Sequence, residues 1–133
     1  MIFHTFEEKG NNRMEFEKMI NDTHDMSQRL QAVIGPWDGN LLVTHLAGVV
    51  GRLADDVMTI EGKLAMPVEN VHLARNIADA LIQLIRLSNM YRIDLEQAWT
   101  ELLEFGRSSL SNEAFVTMMR DTIRQNQERR QQD

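Results

Sequence analysis

The sequence predicts an all-α protein, a four-helix bundle with an additional C-terminal helix. Three observations carry that reading. Apolar residues recur at three- and four-residue spacing through most of the chain. The 2 prolines and several of the 7 glycines punctuate it, at Gly35-Pro36-Trp37-Asp38-Gly39 and at Gly62 followed by Pro67. No stretch shows the apolar–polar alternation of a half-buried strand.

The first helix is expected over about Glu15 to Ile34, with Phe16, Ile20, Met26, Leu30 and Val33 on one face. Asn40 is a candidate cap for a second helix reaching about Glu61, with Leu46, Val50, Leu53, Val57 and Ile60 on its stripe and Gly62 as its stop. A third helix starts near Pro67, which suits a first turn, and runs to about Tyr91. Asp94, with Gln97 three positions on, caps a fourth helix that Gly106 ends after Phe105. Ser111 caps a fifth, containing Phe115, Met118 and Met119. From Gln125 to Asp133 there is no apolar residue, so that tail is expected to fray. The domain reading is therefore a flexible extension over 1–13, with Met14 as an alternative start, one helical domain over 14–124, and a polar tail over 125–133.

Composition narrows the functions. The chain of 133 residues carries 20 acidic and 14 basic side chains, a net charge of −6, which disfavours nucleic acid and anionic membrane as partners. An apolar fraction of 43% is too high for a wholly disordered chain. The absence of cysteine excludes disulfides, thiolate zinc sites and cysteine nucleophiles, and fits a cytoplasmic address. The most apolar stretch, Leu41 to Ile60, is interrupted by His45, Arg52, Asp55 and Asp56, so no membrane span is expected there. Met1 to Asn12 has Glu7 and Glu8 and no apolar run, unlike a signal peptide. The 4 histidines include no pair four residues apart on one helix face, and there is no glycine-rich phosphate loop or nucleophile elbow.

What stands out is a polar seam on two otherwise apolar helices. His45, Val49, Arg52 and Asp56 follow one another at spacings of 4, 3 and 4. His72, Asn76, Asp79, Gln83 and Arg86 do the same at 4, 3, 4 and 3. A seam of this kind either faces water or lines a site. Within the second helix the chain reads Leu46-Ala47-Gly48-Val49-Val50-Gly51-Arg52-Leu53-Ala54, then Val57-Met58 and Glu61-Gly62. Within the third it reads Asn76-Ile77-Ala78-Asp79-Ala80-Leu81-Ile82-Gln83-Leu84-Ile85-Arg86-Leu87, with Ile93-Asp94-Leu95-Glu96-Gln97-Ala98 after it. Together with Trp37, these stretches resemble the MazG-like all-α nucleoside-triphosphate pyrophosphatases, over roughly Glu15 to Phe105.

The resemblance implies a bundle in which two helices offer Glu-x-x-Glu and Glu-x-x-Asp motifs. Their carboxylates hold Mg²⁺, which bridges the phosphates of a nucleoside triphosphate that is split into a monophosphate and pyrophosphate. It also implies a homodimer or tetramer. This chain departs from the pattern at the ligands. Val49 and Arg52 stand where the first motif has its glutamates, and Asn76 stands where the second begins; only Asp79 matches. The expectation is therefore a protein that keeps the fold, has no resident metal and binds a nucleotide or a protein without hydrolysis. The alternative is an active pyrophosphatase using Asp56 and Asp79 with Mg²⁺.

Three further expectations follow. Arg52 replaces the missing ion by pairing with Asp79, flanked by His45, Asn76 and Asp56; if that pair is buried, breaking it costs about 3–5 kcal/mol. Gly48 and Gly51 each cost about 1 kcal/mol against alanine inside a helix, so another helix should approach there, and Gly51→Leu should disturb folding or assembly. Leu41, Leu42, Leu84, Leu87 and Trp99 are candidates for apolar surface that a single small bundle leaves open.

Overall fold

The computed structural model describes residues 15–132, so the expected extension over 1–13, and Met14 with it, lies outside the described residues. The described chain is all-helical: α1 (Phe16–Ile34), α2 (Gly39–Ile60), α3 (Leu73–Met90), α4 (Leu95–Leu110) and α5 (Glu113–Arg130), with one 3₁₀ turn at Val68–Asn70. It divides into two compact units at Ile93 and Asp94, the first holding α1 to α3 and the second α4 and α5.

In the first unit, Asp38 rather than Asn40 caps α2, its carboxylate accepting from the Leu41 N–H at 2.8 Å. Gly35 and Gly62, with φ of 85° and 71°, close α1 and α2 in the left-handed region that glycine enters without strain. Pro67 opens the 3₁₀ turn instead of α3, and α3 begins only at Leu73. Helices α2 and α3 run antiparallel, since Gly39 lies against Tyr91 while Asp56 meets Asn76. A Cβ added at Gly39 would meet the Tyr91 hydroxyl, so a larger residue there would have to displace that exposed side chain.

The buried face of α2 differs from the expected stripe. Leu42, Val49 and Asp56 point inward, with Leu46 and Leu53 half-buried beside them, whereas Val50, Val57 and Ile60 are exposed. Of the polar seam, Val49 and Asp56 lie on the inner face of α2, His45 is half-buried and Arg52 is exposed. A similar rotation holds for α1: Thr23 is buried and Ser27 half-buried, while Met26 and Val33 are exposed. The buried Arg86 of α3 accounts for the inward serine, because its Nε donates to Ser27 Oγ at 3.1 Å. Among the described residues nothing lies within 4 Å of a Cβ built at Gly48 or Gly51, so the expected approach of another helix is not made by α1 or α3.

In the second unit, Asp94 caps α4 as expected, accepting from the Gln97 N–H at 3.0 Å. Helix α4 passes through Gly106 to Leu110, because Gly106 is not in the left-handed conformation that ends a helix. Asn112, rather than Ser111, caps α5, accepting from the Phe115 N–H at 3.1 Å. Helix α5 continues past Gln125 to Arg130. Arg124 supports that extension by pairing with Asp121 at 3.2 Å, and Arg129 and Arg130 sit in the last turn, where cations suit the helix dipole.

Candidate functional site

A cleft of about 400 Å³ opens in the first unit where α2 meets the start of α3. Arg52, Asp55 and Asp56 line it from α2, Arg75, Asn76 and Asp79 from α3, and Met66, Asn70 and His72 from the connection between them. The antiparallel register brings the two seams together, because residues three and four apart on each helix share the facing side.

Asp79 is the centre of this arrangement. Its Oδ2 accepts from Arg52 Nη2 at 3.3 Å and its Oδ1 from Gln83 Nε2 at 2.9 Å, while His45 Nε2 stands 4.0 Å away. The expected Arg52–Asp79 pair therefore forms, but the side chains are 50% and 33% exposed, so the cost of breaking a buried pair does not apply. An exposed pair of this kind contributes about 0–1 kcal/mol. Asn76, expected to flank the pair, bonds the neighbouring acid instead of Asp79. Its Nδ2 donates to Asp56 Oδ2 at 2.7 Å, and that choice has a physical reason: Asp56 is 4% exposed and needs a donor more than Asp79 does.

From Asp79 a chain of hydrogen bonds runs inward along α3. Gln83, whose amide donates to Asp79, accepts on Oε1 from Arg86 Nη1 at 3.0 Å. The Arg86 guanidinium lies over the Trp37 ring, 5.1 Å from its centroid, and Trp37 meets the His45 ring edge-on at 5.3 Å. Trp37, in the α1–α2 connection, thus touches both seams, Arg86 on its face and His45 in a T-shaped contact. Burial lowers the Arg86 pKa from its ordinary value, and the charge of Asp79 acts in the opposite sense.

The remaining sequence candidates are placed as follows. Val49 is fully buried, a packing residue with no access to the cleft. His72 lines the cleft but precedes α3 as its N-cap residue, with no side-chain capping bond. Sequence reasoning missed Arg75, Asn70 and Ser27. Arg75 lies three residues after His72 and four before Asp79, a spacing that would have placed it beside the α3 seam.

The two acids that the seams bring to the cleft already have partners. One carboxylate is held by a guanidinium and an amide, a second by another amide, and among the described residues no group of three or more histidine, aspartate or glutamate side chains is placed to hold a metal ion. Fold and site together define a helical protein with a mixed-charge cleft on an antiparallel helix pair. Comparison of the chain with protein-family models, curated proteins and solved structures finds no match. No helix of the described residues is long and apolar enough to cross a membrane.

Proposed function

We propose that this chain is a MazG-like helical protein that has lost Mg²⁺-dependent pyrophosphohydrolysis and acts by binding, as a cytoplasmic homodimer or tetramer with a nucleotide as candidate ligand of its cleft. The observation that carries the reading is the Arg52 guanidinium on the Asp79 carboxylate, a cation beside the one acid that matches the motif of the resembled family. A fixed positive charge there repels a metal ion while meeting the same electrostatic need of Asp79. Assembly is supported by how little apolar surface is fully enclosed: only Leu42, Val49 and Ile85 are both apolar and buried among the described residues. Val43, Val50 and Val57 lie exposed on α2, away from its buried face, beside the exposed Ala47 and Ala54. Of the candidates for open apolar surface, Leu41, Leu84 and Trp99 are exposed, Leu87 is half-buried and Leu42 is enclosed.

A pyrophosphate-release assay over a panel of nucleoside triphosphates with Mg²⁺ tests the reading. The expected result is no turnover above a no-protein control. The second reading, an active pyrophosphatase, is favoured by the common placement of Asp55, Asp56 and Asp79 on one cleft, where they could meet Mg²⁺ carried by the substrate. Turnover that Asp79→Ala abolishes establishes that reading and removes the first. Light scattering that finds only a 15.4 kDa species at micromolar concentration removes the assembly part.

A further inference from the structure

A second cavity, of about 140 Å³, lies within the first unit, lined by His24, Ser27 and Gln31 of α1, Leu42 of α2, and Arg86 and Asn89 of α3. Two groups on its wall lack what burial demands. The Arg86 residue is only 6% exposed, yet its hydrogen-bond acceptors are Ser27 Oγ and Gln83 Oε1, both neutral. Among the described residues it forms no ion pair with a carboxylate, and Asp79 reaches it only through Gln83. A buried guanidinium without a counter-charge is costly, and its planar fork leaves N–H groups over for another acceptor. The second group is the Asn89 side-chain amide, whose Nδ2 is buried with no hydrogen-bond partner among the described residues. Buried donors are almost always satisfied, so an orphan next to a cavity marks an acceptor that comes from elsewhere.

Both unmet groups are donors, one is charged, and no carboxylate lines the cavity. Ser27 adds to this: its oxygen accepts from Arg86, which leaves its own O–H to donate. We propose that this cavity binds a small oxyanion, a phosphate or carboxylate group, between the Arg86 guanidinium and the Asn89 amide. The volume suits such a group rather than a whole drug-sized ligand, for which pockets start at about 300 Å³. Nε and Nη1 of Arg86 are engaged, which leaves its Nη2 N–H groups for an oxygen of either oxyanion, and the bound charge supplies the missing counter-ion. The site is separate from the cleft around Asp79 and stands whether or not the cleft hydrolyses anything.

The test is thermal denaturation and titration calorimetry of the full chain with sodium phosphate and with sodium acetate, against sodium chloride at matched ionic strength. One or both oxyanions are expected to raise the melting temperature beyond chloride. A response to phosphate alone assigns a phosphoryl group and a response to acetate alone a carboxylate. Asn89→Leu is expected to weaken that binding about tenfold, the effect of one hydrogen bond to a charged group. In chloride the same variant should melt no lower than the unaltered chain, because it removes a donor that had no partner; a merely structural role for Asn89 predicts a loss instead. Arg86→Gln is expected to abolish the response, and if it fails to fold, Asn89→Leu decides alone. No oxyanion effect beyond chloride, or an effect that Asn89→Leu leaves unchanged, overturns the site.

Discussion

Arg52 and Arg86 belong to the same hydrogen-bonded chain and do opposite things in it. Arg52 stands half in water and meets a full carboxylate; Arg86 is buried and, among the described residues, meets a hydroxyl, an amide oxygen and the face of Trp37. Counting ion pairs would rank Arg52 first. Desolvation ranks it last, because water screens the exposed pair and can replace either partner, whereas nothing in the interior replaces the contacts of Arg86. Asp56 and Asp79 repeat the contrast among the acids: the buried one has the closer donor, Asn76 at 2.7 Å, and the half-buried one shares three looser neighbours.

The largest effect expected from this contrast is at Arg86. Arg86→Ala leaves Ser27 Oγ and Gln83 Oε1 without their donor and opens a void beside Trp37, which should cost about 2–4 kcal/mol in chemical denaturation. Arg86→Met should recover part of that loss, since the charge and its desolvation penalty go together. If Met costs as much as Ala, the polar contacts rather than packing and charge burial dominate. Next comes Asn76→Ala, which leaves the buried Asp56 carboxylate without its donor and should cost about 1–3 kcal/mol. The smallest effect belongs to the pair that looks most prominent. Arg52→Ala should cost less than about 1 kcal/mol, and raising the salt concentration should shrink even that. A double-mutant cycle of Arg52→Ala with Asp79→Ala should give a coupling within the same bound; a coupling of several kcal/mol would place the pair in a far drier setting than its exposure implies.

Much of the fold was legible because it rests on spacing and caps. The five helices follow from apolar periodicity and the stops at Gly35 and Gly62, and Asp94 was readable as a cap from Gln97 three residues on. The misreadings share a cause. Hydrophobicity alone cannot tell which side of a helix apolar on both faces turns inward. On α2 the valines at 50 and 57 looked like core, yet Val49 and Asp56 took the interior, because Asn76 on α3 could satisfy a carboxylate there. Gly106 read as a stop, but a glycine ends a helix only where the backbone turns left-handed, and that depends on what the following residues can cap. Of the seam positions, Arg52, Asn76 and Asp79 line one cleft from two helices, while Gln83 and Arg86 follow Asp79 along α3 through hydrogen bonds. The further partners of Arg86 were not legible in the sequence, because Ser27 and Trp37 reach it from segments far away along the chain.

In the proposed reading, the Arg52 guanidinium serves Asp79 where the resembled family would place a metal ion. Titration calorimetry of Mg²⁺ into the unaltered chain, with Asp79→Ala as its control, tests it most directly. The account predicts no saturable heat at micromolar Mg²⁺ from either protein. Micromolar binding by the unaltered chain that Asp79→Ala abolishes would contradict it and return Asp79 to the role of a metal ligand.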